Sequence, residues 1–151
     1  MSLRNIRKIG DGLLRKKSRE INKIDGRIIE LLDDMKETMY NHQGVGLAAP
    51  QVGVLRRAVI VDVGEGLYEF VNPRIISQDG EIVMTEGCLS VPENIGDVKR
   101  PQKIVVGAYN RQGEEFEIEA TDYFARAICH EIDHLDGILF LDKATNITEK
   151  E

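Results

Sequence analysis

Residues 124–135 read Phe124-Ala125-Arg126-Ala127-Ile128-Cys129-His130-Glu131-Ile132-Asp133-His134-Leu135. Phe124, Ile128, Ile132 and Leu135 recur at intervals of three and four, the apolar stripe of a helix lying on a core. The pattern predicts a helix from about Thr121 to His134, with Gly137 beyond its end. The same spacing sends His130 and His134 out of one face, where two imidazoles can hold one metal ion. Glu131 stands beside them, placed to take a proton from a water activated at that ion. This is the H-E-x-x-H pattern of metal hydrolases. Tyr123 and Ala127 fall near the azimuth of the histidines and are expected to line the approach to the metal. Arg126 lies farther round and is expected in solvent.

Working outward, Asp25 caps a second amphipathic helix that runs to about Asn41, with Ile28, Leu31, Leu32, Met35 and Met39 on its apolar face. Between the helices the pattern turns to strands. Ala58 to Val63, Tyr68 to Val71 (running into Asn72-Pro73) and Glu81 to Met84 are candidates. Lys103 to Tyr109 and Glu115 to Ala120 flank Asn110-Arg111-Gln112-Gly113 as a hairpin. Helix, antiparallel strands, then helix predict an α+β fold: one domain over residues 1–151, with an N-terminal helix and strands packed around a metal-bearing C-terminal helix. Residues 145–151 are expected to be a polar, disordered tail.

Two histidines leave a catalytic site short of a third protein ligand. The metzincin extension would need a histidine at position 140, which is Phe140. The downstream glutamates, Glu149 and Glu151, fall in the expected tail, so the ligand is sought upstream. His42 follows the first helix and is expected at the surface. Cys129 adjoins His130, but successive helical residues point about 100° apart, so it is expected to be a packed residue. Cys88 lies in Glu86-Gly87-Cys88-Leu89-Ser90, where Gly87 permits unusual backbone angles that turn the thiolate and the next amide toward one point. Asp133 and Asp136 are expected on the solvated helix surface.

Gly44-Val45-Gly46-Leu47-Ala48-Ala49-Pro50-Gln51, Glu86-Gly87-Cys88-Leu89-Ser90 and His130-Glu131-Ile132-Asp133-His134 resemble, in order and spacing, the three signature segments of the peptide deformylases. The resemblance extends from about residue 5 to about residue 142. It implies a hydrolase that removes the formyl group from N-formyl-methionine on newly made polypeptides and releases formate. It implies one divalent metal ion, Fe2+ first, with Zn2+, Ni2+ or Co2+ able to replace it, held by Cys88, His130 and His134. It assigns Glu131 as the base, and the Leu89 backbone N–H and Gln51 side-chain amide as donors to the oxyanion. It further implies that Val45 and Gly46 pair with the peptide as a strand would, with Gly44 beside them. Val45, Tyr123 and Ala127 are candidates for the methionine slot, with Met84 a weaker one. Arg100 is the candidate for a peptide carbonyl, because the arginine that some relatives carry is absent from Asn94-Ile95-Gly96. Glu86 is expected to buttress the cysteine loop through hydrogen bonds.

Composition excludes several other classes. The chain has 151 residues, 42% hydrophobic and 30% charged, as expected of one ordinary core. No apolar run approaches membrane-spanning length, and Met1 to Lys17 lacks the apolar segment of a secretory signal. Two cysteines, one wanted as a thiolate, argue against a disulfide framework and for a cytoplasmic, reducing setting. A net charge of −6 speaks against broad nucleic-acid binding. The expected partners are N-formyl-methionyl nascent peptides. Contact with the ribosome, if made, lacks the basic C-terminal helix by which some deformylases dock. The competing readings are a small zinc peptidase, disfavoured by the thiolate, and a non-catalytic metal-binding or ribosome-associated module, which would not need Glu131.

Overall fold

The computed structural model describes residues 2–151. Helix α1 spans Gly26–Asn41; the Asp25 carboxylate accepts from the Arg27 and Ile28 amides at its start. Helix α2 spans Asp122–Leu135. Five strands form one antiparallel sheet: β1 (Gly46–Ala48), β2 (Ala58–Val61), β3 (Tyr68–Asp79), β6 (Lys103–Tyr109) and β7 (Glu115–Thr121), in the order β1-β2-β3-β6-β7. A second sheet takes β4 (Ile82–Cys88), β5 (Val91–Arg100) and β8 (Thr145–Glu149), in the order β4-β5-β8. The α+β class expected from the sequence is what the chain adopts.

Strand β2 explains how the layers assemble. All four of its residues are buried. Val59 and Val61 pack toward α2 with Phe70, Ile128 and Ile132, while Ala58 and Ile60 pack toward α1 with Leu32 and Met35. Successive strand residues point to opposite faces, so a strand covered on both sides reads as an unbroken apolar run. Strand β7 alternates instead, its glutamates exposed and Phe116, Ile118 and Ala120 turned inward, because only one of its faces is covered. Each large apolar side chain buried this way stabilises the fold by roughly 1.5–3 kcal/mol.

The strands reach farther than hydropathy indicated. Strand β3 continues through Asn72-Pro73, where its pairing with β6 slips between Val71 and Arg74 and Asn72 takes a left-handed φ of 51°. Proline is tolerated there because a bulge needs no ladder donor. Residues 145–151 are not the disordered tail expected: Thr145–Glu149 form β8, with Asn94 opposite Glu149 and Ile95 opposite Thr148. Every side chain of β8 is exposed, so backbone pairing, helped by the Asn146 side-chain amide donating to Asp97 at 3.1 Å, makes the strand and hydropathy is silent. Gly96 admits the incoming chain, since a Cβ there would stand 2.8 Å from the Ala144 Cβ. Among the described residues, no helix is long and apolar enough to cross a membrane.

Candidate active site

Helix α2 delivers His130 and His134 from one face, their ring centroids 5.1 Å apart and both residues buried. Strand β4 delivers Cys88 at its last position. The Cys88 Sγ lies 3.3 Å from His134 Nε2, and one ligand atom from each of Cys88, His130 and His134 lies within 4.8 Å of the others. A thiolate and two imidazoles at such spacings suit a divalent transition metal and leave room for a further ligand. Gly87 contributes differently from the expectation: it does not take a left-handed φ. A bulge between Glu86 and Cys88 in the β4–β5 pairing shifts the strand there instead.

Behind the ligands lies a buried ionic cluster. His130 Nδ1 donates to Glu86 Oε1 at 2.8 Å, which leaves Nε2 for a metal. The Arg100 Nε and Nη2 donate to the two Glu86 oxygens at 2.6 and 2.9 Å, and Arg126 Nη1 donates to Oε2 as well. Burial alone would raise the Glu86 pKa, but His130 and Arg100 outweigh it and hold it down at about 2. Two expectations are corrected here. Arg126 is not in solvent but is buried with Glu86. Arg100 is not free for a peptide carbonyl: it is 3% exposed, and its remaining nitrogen is bound to Asp133 at 2.8 Å. Asp133 also takes Lys143 at 2.9 Å, and Asp136 pairs with Arg57. Asp133 is therefore half-buried between two cations rather than solvated, whereas Asp136 is exposed at the helix end as expected.

Glu131 is 5% exposed, and its Oε1 has no protein partner. Burial raises its pKa to about 7. Gln51 was legible from the sequence only through the resemblance; its side chain is 1% exposed, inside a 3-10 turn over Ala49–Val52. Gln51 Oε1 accepts from the Ala48 amide, while Nε2 donates to Ser90 Oγ at 3.1 Å and to Cys88 Sγ at 3.5 Å. Both ends of the amide are thereby oriented.

These groups open into one cleft of about 440 Å³, a volume typical of small-ligand sites. Gly44, Val45, Gly46, Leu89, Tyr123 and Ala127 line it. Neither Met84 nor Arg100 lines it. Gly44 and Gly46 are small for a reason the sequence hid. A Cβ on Gly44 would meet Leu89 Cδ1 at 2.9 Å, and one on Gly46 would meet Glu131 Oε2 at 2.5 Å. Cys129 is buried with its thiol pKa raised to about 11 by desolvation, apart from the ligand trio. His42 is exposed at the rim, its Nδ1 donating to the Thr38 carbonyl.

A family model described as polypeptide deformylase matches residues 3–150. The chain belongs to that family. It is 60% identical over 143 residues to peptide deformylase 1 of Clostridium acetobutylicum, covering 95% of each chain. It is 58% identical over 151 residues to the peptide deformylase of Caldicellulosiruptor bescii, covering 100% of this chain and 91% of that one. Among solved deformylases, the crystal structure from Thermotoga maritima superposes with a TM-score of 0.93 at 42% identity, over 95% of this chain and 98% of the other. A Met-Ala-Ser-bound class I type b deformylase from Acinetobacter baumannii gives 0.91 at 33% identity, over 93% and 99%. The deformylase family is metal-dependent, and the Cys88, His130 and His134 trio of this member is fit to hold an ion.

Proposed function

We propose that this chain removes the formyl group from N-formyl-methionyl peptides, yielding formate and a free amino terminus. The observation that carries the reading is the convergence of Cys88, His130, Glu131 and Gln51 on one cleft, with His134 beside Cys88 and His130 in a trio of ligand atoms. Cys88, His130 and His134 would hold the ion, which when bound supplies a polarised water and a positive charge facing the reacting carbonyl. Glu131 takes the proton released during attack and passes it to the leaving amine. Its burial and raised pKa suit a group that must both accept and release a proton near neutrality. The Gln51 Nε2 and the Leu89 backbone N–H donate to the oxygen of the tetrahedral state. The Ala48 and Ser90 contacts orient the Gln51 amide and support this role, with the N–H now directed at Cys88 Sγ the one that would turn to the oxygen.

Strand β1 ends the sheet, paired among the described residues with β2, and its outer edge with the preceding Gly44 and Val45 suits main-chain pairing with an extended peptide. Tyr123, Ala127 and Val45 would enclose the methionine side chain. Ferrous iron is the metal we assign, with zinc, nickel or cobalt able to occupy the same ligands. The working site would be the cytoplasm, on nascent chains leaving the ribosome. The test compares N-formyl-Met-Ala with N-acetyl-Met-Ala using protein loaded anaerobically with iron or zinc. Formate release, fastest with iron and without matching acetate release, supports the reading; equal release of both acids, or of neither, contradicts it.

A further inference from the structure

The mouth of the cleft carries two lysines that the proposed chemistry does not use. Lys8 and Lys150 both line it and both are exposed. Among the described residues, the lysines in ion pairs are Lys99, Lys103 and Lys143, which leaves these two ammonium groups uncommitted. Their main chains are nevertheless anchored to the site. The Arg7 amide donates to the Gln51 carbonyl at 2.7 Å and the Ile9 amide to the Ser90 carbonyl at 2.8 Å, so Lys8 is straddled by bonds to two segments that build the centre. The Lys150 amide donates to the Glu93 carbonyl at 2.8 Å and extends the β8–β5 pairing beside Asn94, another cleft residue.

The carboxylates that line the cleft are Glu86 and Glu131, both buried, and Glu86 is already matched by Arg100 and Arg126. Glu93, Glu149 and Glu151 neighbour Lys150 along or across the chain but do not line the cleft. The exposed charged residues that line the cleft are therefore Lys8 and Lys150, on a chain whose net charge is −6. A peptide laid along Gly44 to Gly46 as an added strand advances about 3.3 Å per residue. Its third and fourth residues would then stand about 7–10 Å from the formylated one, beyond the buried floor and out at the mouth.

We propose that Lys8 and Lys150 form an anion-preferring subsite that favours substrates with an acidic side chain at the third or fourth residue. The proposal rests on the deformylase reading and adds a sequence preference to it. Both partners are flexible and solvated, so the preference is modest and salt-sensitive: about 3- to 10-fold in kcat/KM between a glutamate and a lysine at that place.

The test uses metal-loaded enzyme and C-terminally amidated N-formyl-Met-Ala peptides carrying Glu, Gln or Lys at the third or the fourth residue. At low ionic strength, kcat/KM is expected to fall in the order Glu, Gln, Lys at one of the two places. The Glu/Lys ratio is expected to approach 1 in the K8Q/K150Q double variant and in wild type at high salt. Because the ratio is taken within each enzyme preparation, partial loss of active protein cancels. Equal rates on all peptides by an active wild type overturn the subsite and leave deformylation standing. An unchanged ratio in the double variant also overturns it, including where that variant sediments less with ribosomes, which would give the lysines to RNA. No turnover of any peptide would sink the deformylase reading itself.

Discussion

Gly46 and Glu131 occupy one space: the Cβ that Gly46 lacks would lie 2.5 Å from the Glu131 Oε2 and 2.9 Å from its Cγ. The glycine of β1 and the glutamate of α2 are therefore a single device, in which the strand's missing side chain sets where the carboxylate rests. Gly46→Ala is predicted to displace Glu131 and lower kcat by about 10²-fold, the usual cost of moving a catalytic group by about an ångström. Formate release and a thermal melt on the same sample check this. A near-native rate in a folded variant would separate the two residues.

The Glu86 carboxylate is shared among His130, Arg100 and Arg126. Glu86→Gln removes the charge shared by two buried guanidinium groups and leaves Arg126 with only the Ile82 carbonyl while Arg100 keeps Asp133, so stability is predicted to drop by about 3–5 kcal/mol. The weaker acceptor should also loosen His130 and reduce metal affinity about 10- to 100-fold. Urea unfolding and metal competition against a chelator measure the two effects. A variant matching wild type in both would show that Glu86 does not buttress the centre.

Acid should act through the same residue. The Glu86 pKa is held at about 2 in the fold, against an ordinary value of 4.5. A depressed carboxylate binds protons more weakly folded than unfolded. Its contribution is therefore complete above pH 4.5 and is lost as pH falls from there toward 2. Unfolding midpoints taken in steps from about pH 5 to pH 3 should fall more steeply for wild type than for Glu86→Gln. Parallel slopes would assign acid sensitivity to other groups.

Gln51 Nε2 is held between Ser90 Oγ and Cys88 Sγ. Gln51→Met keeps the volume and removes the donor. It is predicted to lower kcat by about 10²–10³-fold while KM changes little, as expected for a contact made only in the transition state. A rise in KM with kcat preserved would make Gln51 a ground-state binding residue.

Much of this was readable in the chain because periodicity and packing agree. The α1 and α2 stripes, the β6–β7 hairpin and the four-residue spacing of the histidines are local patterns, and each is present as the spacing implied. What stayed hidden depends on partners distant in sequence. Arg126 looks solvent-facing on a helical wheel, and Glu86, forty positions away, with the Ile82 carbonyl draws it inside. Arg100 is occupied for the same reason. Strand β8 buries no side chain, so no inward-facing apolar alternation marks it, and its β-branched Thr145, Ile147 and Thr148 are its one local sign. Gly44 and Gly46 read as positions beside the peptide, and nothing local shows that their missing side chains also make room for Leu89 and Glu131.

The most direct measurement of the central claim is formate release from N-formyl-Met-Ala by anaerobically iron-loaded wild type and Glu131→Gln, with metal content determined on the same samples. Glu131 touches none of the ligand atoms' roles assigned to Cys88, His130 and His134, so the variant should retain its metal while turnover falls by about 10²–10⁴-fold, the range for a lost general base. A metal-loaded variant that releases formate at the wild-type rate would contradict the account.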